Sequence, residues 1–598
     1  MIPVIVILVY LCVIGYIGSA AFKRSKANTE DFFLAGRSVG AVVFFLSLFA
    51  TNMTSVAILG SSGAAYKQGI GVYGLMASSS GLIIPLTILL IGTRLWALGK
   101  RFGHMTQVQL FRDRWECSGI GTFIFALTAA MLLPYLIVSM AGGGHVLATI
   151  SSVNGAPPLI PFWLGCLIVA VVVTANVFFG GMRGVVWVNV FQTILFVTFG
   201  TIALVTISAN LPGGLGGVLG KLAGTPGGAL LARDRMPPET FFSYMFIPFS
   251  SIMFPHMAIM CLSARKLSAF KNTVIAYPIA IMFTWLPCVF LGVVAAAVIP
   301  GLVGTDTDTV LLRLLSQYAP VWLAGILGAG IISAVMGSDC HQVLALSTMF
   351  TKDIFSYYGG KEKFGEKGAV FFARVFVVVA SAIAYVIALN SPTNIFELAV
   401  RFAFSGFAAM APVMIAALFW KRSTKWGALA SSIWVAVCVF MIGYLTNISD
   451  AIAPKPSAAR PAVARGVGGR GRAGAPGARL AGGPAVAPSS EIPGIRPAGG
   501  SRGPRAGGPG GRGPAGRPGP RAVPIFPSLG NVFMRDIANV TVFGYLPVVP
   551  MILGSALLMI IVSLVTPPPS RETIARYFPA KGEEAVVPVR EPAPAELV

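Results

Sequence analysis

Polar residues interrupt two otherwise apolar stretches of the sequence, and these are the residues best suited to chemistry. The first interruption reads ATNMTS at residues 50–55, and the second, at residues 248–255, contains two prolines and two serines. Breaks of this kind in membrane helices expose backbone carbonyls and hydroxyl groups, which are neutral ligands for a cation or a small solute. The paired interruptions therefore predict a binding site between two broken helices.

Residues that could support catalysis do not form a recognisable pattern. The chain has four histidines (His104, His145, His256 and His341), and they fall in different segments without the HExxH spacing or a similar metal-ligand spacing. The seven cysteines are dispersed and include no CxxC pair. We therefore do not expect an enzyme.

The composition requires a membrane environment. Of the 598 residues, 55% are hydrophobic and only 11% are charged, which is too apolar for a water-soluble chain of this length. Apolar stretches of nearly 20 residues or more recur, and reading them between polar breaks predicts about thirteen membrane-spanning helices. A β-barrel would instead show short segments of alternating polarity. The predicted fold class is an all-α polytopic membrane protein.

Basic residues mark one set of alternate loops, which predicts the orientation of the chain. If the N-terminus is extracytoplasmic, the inner loops are rich in lysine and arginine, from Lys23, Arg24 and Lys26 in the first to Lys421, Arg422 and Lys425 late in the chain, whereas the short outer loops are nearly free of both. The positive-inside rule then favours an extracytoplasmic N-terminus and a cytoplasmic C-terminus in the inner (plasma) membrane, surrounded by lipid.

Residues 451–527 differ from the rest in being rich in Ala, Gly, Pro and Arg. An RNA-binding tract would usually interleave aromatic residues, and a collagen-like segment would keep a longer Gly-x-y period, so we favour a disordered basic linker and expect no nucleic-acid partner. The predicted organisation is a membrane core at 1–450, this extracytoplasmic loop at 451–527, the last span within 528–566, and a short cytoplasmic tail at 567–598. No obligate protein partner is expected.

Six segments, taken in order, resemble the sodium:solute symporter family. They are DFFLAGRS at 31–38, ATNMT at 50–54, GGMRGVVW at 180–187, FPH at 254–256, ISAVMGSD at 332–339 and FWKR at 419–422. The resemblance implies a LeuT-type fold of two inverted five-helix repeats, formed by spans 2–6 and 7–11. It also implies symport of a small organic solute with sodium by alternating access. A proton-coupled or uncoupled transporter, or a sensor with the same fold, is the alternative.

The family's cation site can be carried onto this chain residue by residue. The resemblance implies that main-chain carbonyls and hydroxyls bind sodium, with protons as a possible substitute, at Ala50, Met53, Ala334, Gly337 and Ser338. Two positions depart from the family pattern. Gly337 stands where a hydroxyl residue is usual, and Asn189 stands where many members carry an aspartate thought to help the ion leave.

The predicted solute-binding residues surround the same two interruptions. They are Asn52, Thr54, Ser55, Tyr135, Ser250 and Ser251. His256 could bind solute, relay a proton or be a hydrogen-bonded core histidine, and Tyr135 could line the site or pack. Sugar-transporting relatives have an acidic residue and a Gln where Val56 and Ala57 stand here. We therefore expect a small organic solute such as a monocarboxylate, an amino acid or pantothenate.

Overall fold

Helices dominate the structure. The computed structural model describes residues 2–23, 28–152, 157–233, 236–390, 399–449, 451–452, 522–535 and 539–579. Within these ranges, ten helices are long and apolar enough to cross a membrane, or up to twelve if each of two bent pairs forms one span. The predicted all-α membrane fold is confirmed, while the number thirteen stays a prediction.

The helices follow one another in this order. The first half contains α1 (Ile2–Lys23), α2 (Thr29–Leu34), α3 (Ala41–Asn52), α4 (Val56–Gln68), α5 (Gly71–Phe102), α6 (Gln107–Arg114), α7 (Ser118–Ser151), α8 (Phe162–Asn210) and α9 (Gly214–Ala223). The second half contains α10 (Pro238–Met253), α11 (Pro255–Ser263), α12 (Ser268–Val298), α13 (Val310–Tyr318), α14 (Val321–Phe355), α15 (Gly360–Ala388), α16 (Phe402–Phe419), α17 (Lys425–Ser449), α18 (Val548–Val565) and α19 (Arg571–Tyr577).

Both predicted interruptions are present as sharp bends. The pair α3 and α4 is bent by 60° and the pair α10 and α11 by 53°. Met53 leaves the helical region at φ −90° and ψ 103°, and Phe254 does so at φ −60° and ψ 121°. Phe254 precedes Pro255, and a proline disfavours helical geometry in the residue before it. The two bends therefore follow from local sequence.

Helix α8 contains a third break. Its 49 residues would extend about 74 Å as one rod, more than twice the thickness of the hydrocarbon layer. Gly181 interrupts the helix with φ 51° and ψ −153°. A side chain there would begin 2.8 Å from both the Phe32 ring and the Phe32 carbonyl oxygen, so glycine is required on steric as well as conformational grounds.

Helix α14 forms the centre of the bundle. Every residue from Leu327 to Met349 is buried, and the helix packs against α1, α3, α7 and α8. A membrane-spanning helix that is covered on all sides has little freedom to move relative to its neighbours. It therefore provides a fixed surface for the end of α3, which lies against it.

A small antiparallel sheet precedes α18. Its strands β1 (Val523–Pro524), β2 (Phe533–Arg535) and β3 (Val540–Val542) are ordered β1-β2-β3, with Val523 opposite Arg535 and Phe533 opposite Val542. Strand β1 lies inside the segment predicted as a linker, so the predicted boundary at residue 527 is wrong. Ile525 packs on Leu445 and Val540. The composition of residues 451–527 did not predict this contact. Residues 453–521 lie outside the described ranges.

The start of the predicted tail docks against the loop between α5 and α7. Tyr577 donates a 2.7 Å hydrogen bond to Asp113 Oδ2, which also pairs with Arg576 and lies 3.2 Å from His104 Nε2. Burial would raise the pKa of Asp113, but these three hydrogen-bond partners outweigh it and hold the pKa well below its usual range. A charged, well-bound carboxylate therefore fixes α19 at this end of the bundle.

We predict that residues 453–521 are dispensable for folding. Replacing them with a Gly/Ser linker of about ten residues leaves the packing of Ile525 intact, so the thermal unfolding midpoint should stay within about 2 °C of the parent value. The matched control removes residues 522–535, which deletes β1 and β2, and should lower the midpoint measurably. Tryptophan fluorescence in detergent gives both values, and a large shift for the first deletion alone would contradict the linker interpretation.

Candidate ion and solute site

The bend after α3 frees carbonyl groups in the middle of the bundle. In a continuous helix the Ala50 carbonyl would accept a hydrogen bond from the amide of Thr54, but Met53 and Thr54 lie outside the helix. Ala50, Met53 and Thr54 are nevertheless almost completely buried. A buried carbonyl without a hydrogen-bond partner destabilises the fold unless a ligand binds to it.

Helix α14 supplies the other side of the predicted ion site. A side-chain carbon placed on Gly337 would lie 3.5 Å from the Ala50 side chain, so the structure brings these two predicted residues together. Ala334 and Ser338 are fully buried on the same helix. The Ser338 hydroxyl donates a 3.2 Å hydrogen bond to the Val335 carbonyl within its own helix, which leaves its lone pairs available to a cation.

His341, which sequence reasoning did not select, connects the two halves of this site. Its Nδ1 atom lies 2.9 Å from Thr51 Oγ1 and 2.8 Å from Asn189 Nδ2. The same Asn189 nitrogen donates to the Gly337 carbonyl at 3.1 Å. The Gly337 carbonyl can only accept a hydrogen bond, so the atom of Asn189 that faces α14 must be the amide nitrogen. The Nδ1 atom of a neutral His341 then accepts a hydrogen bond from the same nitrogen. The signal in the sequence was a histidine one helical turn beyond Gly337.

Asn189 therefore lies in the wall of the predicted ion site. Its amide nitrogen holds Gly337 and His341, and its Oδ1 atom is buried without a hydrogen-bond partner in the described part of the chain. Gln192, less than one turn further along α8, has an equally buried and unpartnered Oε1 atom. Two amide oxygens from α8 thus face the side of α14 where Gly337 lacks a side chain.

Tyr135 of α7 contacts both broken helices. Its phenol lies against the Thr54 hydroxyl in the first bend, and its ring stacks on Phe254 in the second at a centroid distance of 5.2 Å. Phe404 packs edge-on against the Tyr135 ring at 5.3 Å. The predicted residue Tyr135 is thus placed between the two bends, and aromatic rings form the wall around it.

His256 faces the same aromatic wall. Its ring lies 4.9 Å from that of Phe254 and 6.0 Å from that of Tyr135. The side chain is buried, and neither ring nitrogen has a hydrogen-bond partner among the residues described. The hydrogen-bonded core histidine considered from the sequence is therefore not what the structure contains.

Three of the four other predicted solute-binding residues have hydrogen-bond partners within the protein. The Asn52 side chain, half-buried at the end of α3, donates from Nδ2 to the Tyr277 hydroxyl on α12. Ser55 donates to the Val138 carbonyl at 3.2 Å, and Ser251 pairs with Thr87 at 3.2 Å. Ser250 is buried in the last turn of α10. The two serine hydroxyls thus link neighbouring helices, and direct solute contact by these four residues stays a prediction.

A further buried carboxyl group lies on α14 immediately after Ser338. Asp339 is fully buried, and neither of its oxygens has a hydrogen-bond partner within the described ranges. It lies beside Ser139, whose hydroxyl is also buried. Ser139 is one helical turn beyond Tyr135. Asp339 ends the segment ISAVMGSD that resembles the family, but it was not predicted as a site residue.

A helical membrane protein with two helices broken at the centre of its bundle has the architecture of a secondary transporter. Comparison with known proteins defines it further: the chain belongs to the sodium:solute symporter family, which it matches over residues 32–434. It is therefore a multi-pass membrane transporter that uses sodium as its coupling ion. This confirms the family predicted from the six sequence segments and the predicted transport function.

Individual relatives give the same result. The chain is 26% identical over 442 residues to the sodium/pantothenate symporter of Haemophilus influenzae, covering 72% of this chain and 87% of that protein. It is 26% identical over 456 residues to the sodium/proline symporter of Escherichia coli, covering 72% and 86%. A sodium-coupled sialic acid symporter in an outward-open state matches with a TM-score of 0.62 at 16% identity, over 74% of this chain and 91% of that one. This likeness confirms the LeuT-type fold.

We predict that Thr51→Val weakens sodium binding. Valine keeps the shape of threonine but removes the hydroxyl, which donates to the Ser47 carbonyl at 2.6 Å and contacts His341 Nδ1 at 2.9 Å. Loss of about 1.5 kcal/mol of buried polar interaction corresponds to a roughly tenfold rise in the half-saturating sodium concentration. Binding of radioactive sodium to the purified protein measures this value. Thr51→Ser keeps the hydroxyl and is the matched control, so equal effects of the two substitutions would contradict a role for the hydrogen bond.

Proposed function

We propose that this symporter takes up, together with sodium, a small solute that carries a positively charged nitrogen, such as an amino acid. The observation that carries the proposal is Asp339, a carboxyl group buried in the centre of the bundle. Ionisable residues inside a membrane are expensive and usually functional. A positively charged group of the solute would neutralise this carboxylate.

The neighbours of Asp339 favour an ammonium group over a second metal ion. A desolvated sodium ion needs about five or six oxygen ligands, whereas among the described residues Ser139 is the one hydroxyl identified beside this carboxyl group. An ammonium group needs fewer oxygens and also binds to the faces of aromatic rings. Tyr135, Phe254 and Phe404 supply such rings one turn away from Ser139.

The face of α7 that carries Ser139 and Tyr135 connects Asp339 with both bends. From Ser139 it runs one turn along α7 to Tyr135, whose phenol touches Thr54 and whose ring touches Phe254. A solute bound along this line would contact the movable ends of both broken helices. Its binding could then be coupled to the change of access that a secondary transporter requires.

Two relatives transport solutes of different charge. One is a sodium/proline symporter and the other a sodium/pantothenate symporter. Proline carries a positively charged nitrogen, whereas pantothenate is an anion without one. Asp339 favours the first type of solute for this chain, and it argues against the monocarboxylates that the sequence left open.

The sodium ion belongs, in this proposal, at the end of α3. We assign the ion to the main-chain carbonyls of Ala50 and Met53 together with Ala334, Gly337 and Ser338, and the support for this is that the Ala50 side chain lies next to Gly337. Neutral oxygens suit a hard monovalent cation without requiring a buried fixed charge. Asn189, at the wall of this site, replaces the exit carboxylate of other members by an uncharged amide.

The proposed topology has thirteen crossings. The two bent pairs each cross once, and the break at Gly181 divides α8 into two crossings joined at a tight turn. With an odd number, the N-terminus is extracytoplasmic and the C-terminus cytoplasmic. The basic segment 453–521 then lies outside the cell, and α19 docks on the cytoplasmic end of the bundle.

Uptake into proteoliposomes tests the proposal. With an inward sodium gradient, we expect the protein to accumulate radiolabelled L-proline or another L-amino acid, and to discriminate against pantothenate. Replacing external sodium by potassium should abolish accumulation. Asp339→Asn should raise the half-saturating solute concentration at least about tenfold, because the neutral amide cannot offset the positive charge.

The matched control is Asp306→Asn, which removes an exposed carboxylate far along the chain from the site. It should leave uptake unchanged. Accumulation of pantothenate that survives Asp339→Asn would contradict the proposed solute class while leaving sodium symport intact. Solute binding without any accumulation would instead favour a sensor that shares the fold.

A further inference from the structure

Gly337 has no side chain, and this leaves a space in the proposed sodium site next to Gln192. The family usually has a hydroxyl side chain at this position, and here the hydroxyl is missing. A side-chain carbon placed on Gly337 would lie 3.0 Å from Gln192 Oε1 and 3.4 Å from Asn189 Oδ1. A serine hydroxyl would therefore reach into the space next to the Gln192 amide oxygen.

The orientation of Gln192 is fixed by its other end. Its Nε2 atom lies 3.0 Å from the hydroxyl of Tyr10 on α1 and donates a hydrogen bond to it. This contact holds the amide nitrogen away from α14 and turns Oε1 toward Gly337. The side chain is fully buried, so the amide has no access to solvent that would reorient it.

The Gln192 oxygen lacks the partner that a buried carbonyl normally has. Oε1 makes no hydrogen bond within the part of the chain that the structure describes. Leaving such an acceptor unsatisfied lowers stability, so an unpartnered buried acceptor calls for an explanation. A bound cation would provide the missing partner, and an amide oxygen is a neutral, hard ligand of the type that sodium prefers.

We propose that Gln192 Oε1 is a ligand of the sodium ion and takes the place of the hydroxyl that Gly337 lacks. This inference rests on the sodium site described under the proposed function. The carbonyls of Ala50 and Met53 and the oxygen atoms of α14 supply the rest of the shell. The side-chain oxygen that the family usually supplies from α14 thus comes from α8 in this protein, and the absence of a side chain at Gly337 leaves room for it.

Asn189 is the competing candidate, and its contacts assign it a different role. Its nitrogen holds both the Gly337 carbonyl and His341, so the side chain positions α14. Its oxygen is also farther from the open space than that of Gln192. We therefore expect Asn189→Leu to weaken sodium binding, and we expect that adding Gly337→Ser will not restore the affinity.

The test is a double-substitution cycle read out by binding of radioactive sodium to the full-length protein in lipid nanodiscs. Gln192→Leu removes the oxygen at nearly constant volume and should raise the half-saturating sodium concentration about tenfold or more. Gly337→Ser alone should change it by less than about threefold, because Gln192 already fills the position. The double variant should return to within about threefold of the parent value.

Two further variants serve as controls. Gln342→Leu removes another buried glutamine, on α14, and should leave sodium binding unchanged. Gln192→Glu keeps an oxygen at the site and should retain binding even if Gln192→Leu fails to fold. Loss of binding in Gln192→Glu with normal folding would overturn the inference.

The remaining outcomes separate this inference from the function on which it rests. If the parent protein shows no saturable sodium binding, the proposed sodium site fails together with its Gln192 ligand. If the parent binds sodium and Gln192→Leu binds equally well, only the inference fails. Weakened binding that Gly337→Ser does not restore would also overturn it, because Gln192 would then act through Tyr10 and not as a ligand.

Discussion

The central constraint on this protein is that a sodium ion must lose its water inside a hydrocarbon layer. Only oxygen atoms already present in the bundle can replace that water, and a continuous helix has none to spare because its carbonyls are paired. The bends at Met53 and Phe254 free such groups. The complete burial of α14 from Leu327 to Met349 then gives the freed ends a rigid surface to meet.

Contacts between segments far apart in sequence hold this arrangement in place, and one of them joins two of the motifs that suggested the family. Arg183 pairs with Asp31 at 2.7 Å, which joins the first sequence motif to the third. Thr106 donates a 2.9 Å hydrogen bond to Asp353, and Arg112 donates to the Asp353 carbonyl at 3.0 Å. These contacts connect segments far apart in sequence. Part of what makes the family recognisable is therefore the bracing of the bundle and not the binding chemistry.

The elements of the fold could be predicted from sequence because each depends on nearby residues. Apolar length indicates a span, and the polar break at 50–55 and the proline after Phe254 indicate the bends. The sheet before α18 was missed because its few apolar residues, Val523 and Ile525, follow a long segment rich in Ala, Gly, Pro and Arg. The sheet packs against Leu445, which belongs to α17 and is far from the strands in sequence.

The candidate site could be predicted only in part, for a related reason. Ala50 and Gly337 were expected to meet, and the structure places them in contact distance. The roles of His341, Gln192 and Asp339 depend on how α3, α7 and α8 are aligned along α14. Such alignment is set by packing over the whole length of the helices, and no local spacing records it.

The placement of Ser338 and Asp339 on consecutive positions of α14 suggests how the ion and the solute communicate. Consecutive residues point about 100° apart on a helix, so in the proposed function one rigid element would present an oxygen to the sodium site and a carboxylate to the solute site. Sodium and an ammonium group so close together would repel each other in a medium of low dielectric constant. The carboxylate between them offsets that repulsion, and since linkage is reciprocal, each cation then strengthens binding of the other. A symporter requires this mutual dependence, because a site that bound either partner equally well alone would let sodium leak without solute.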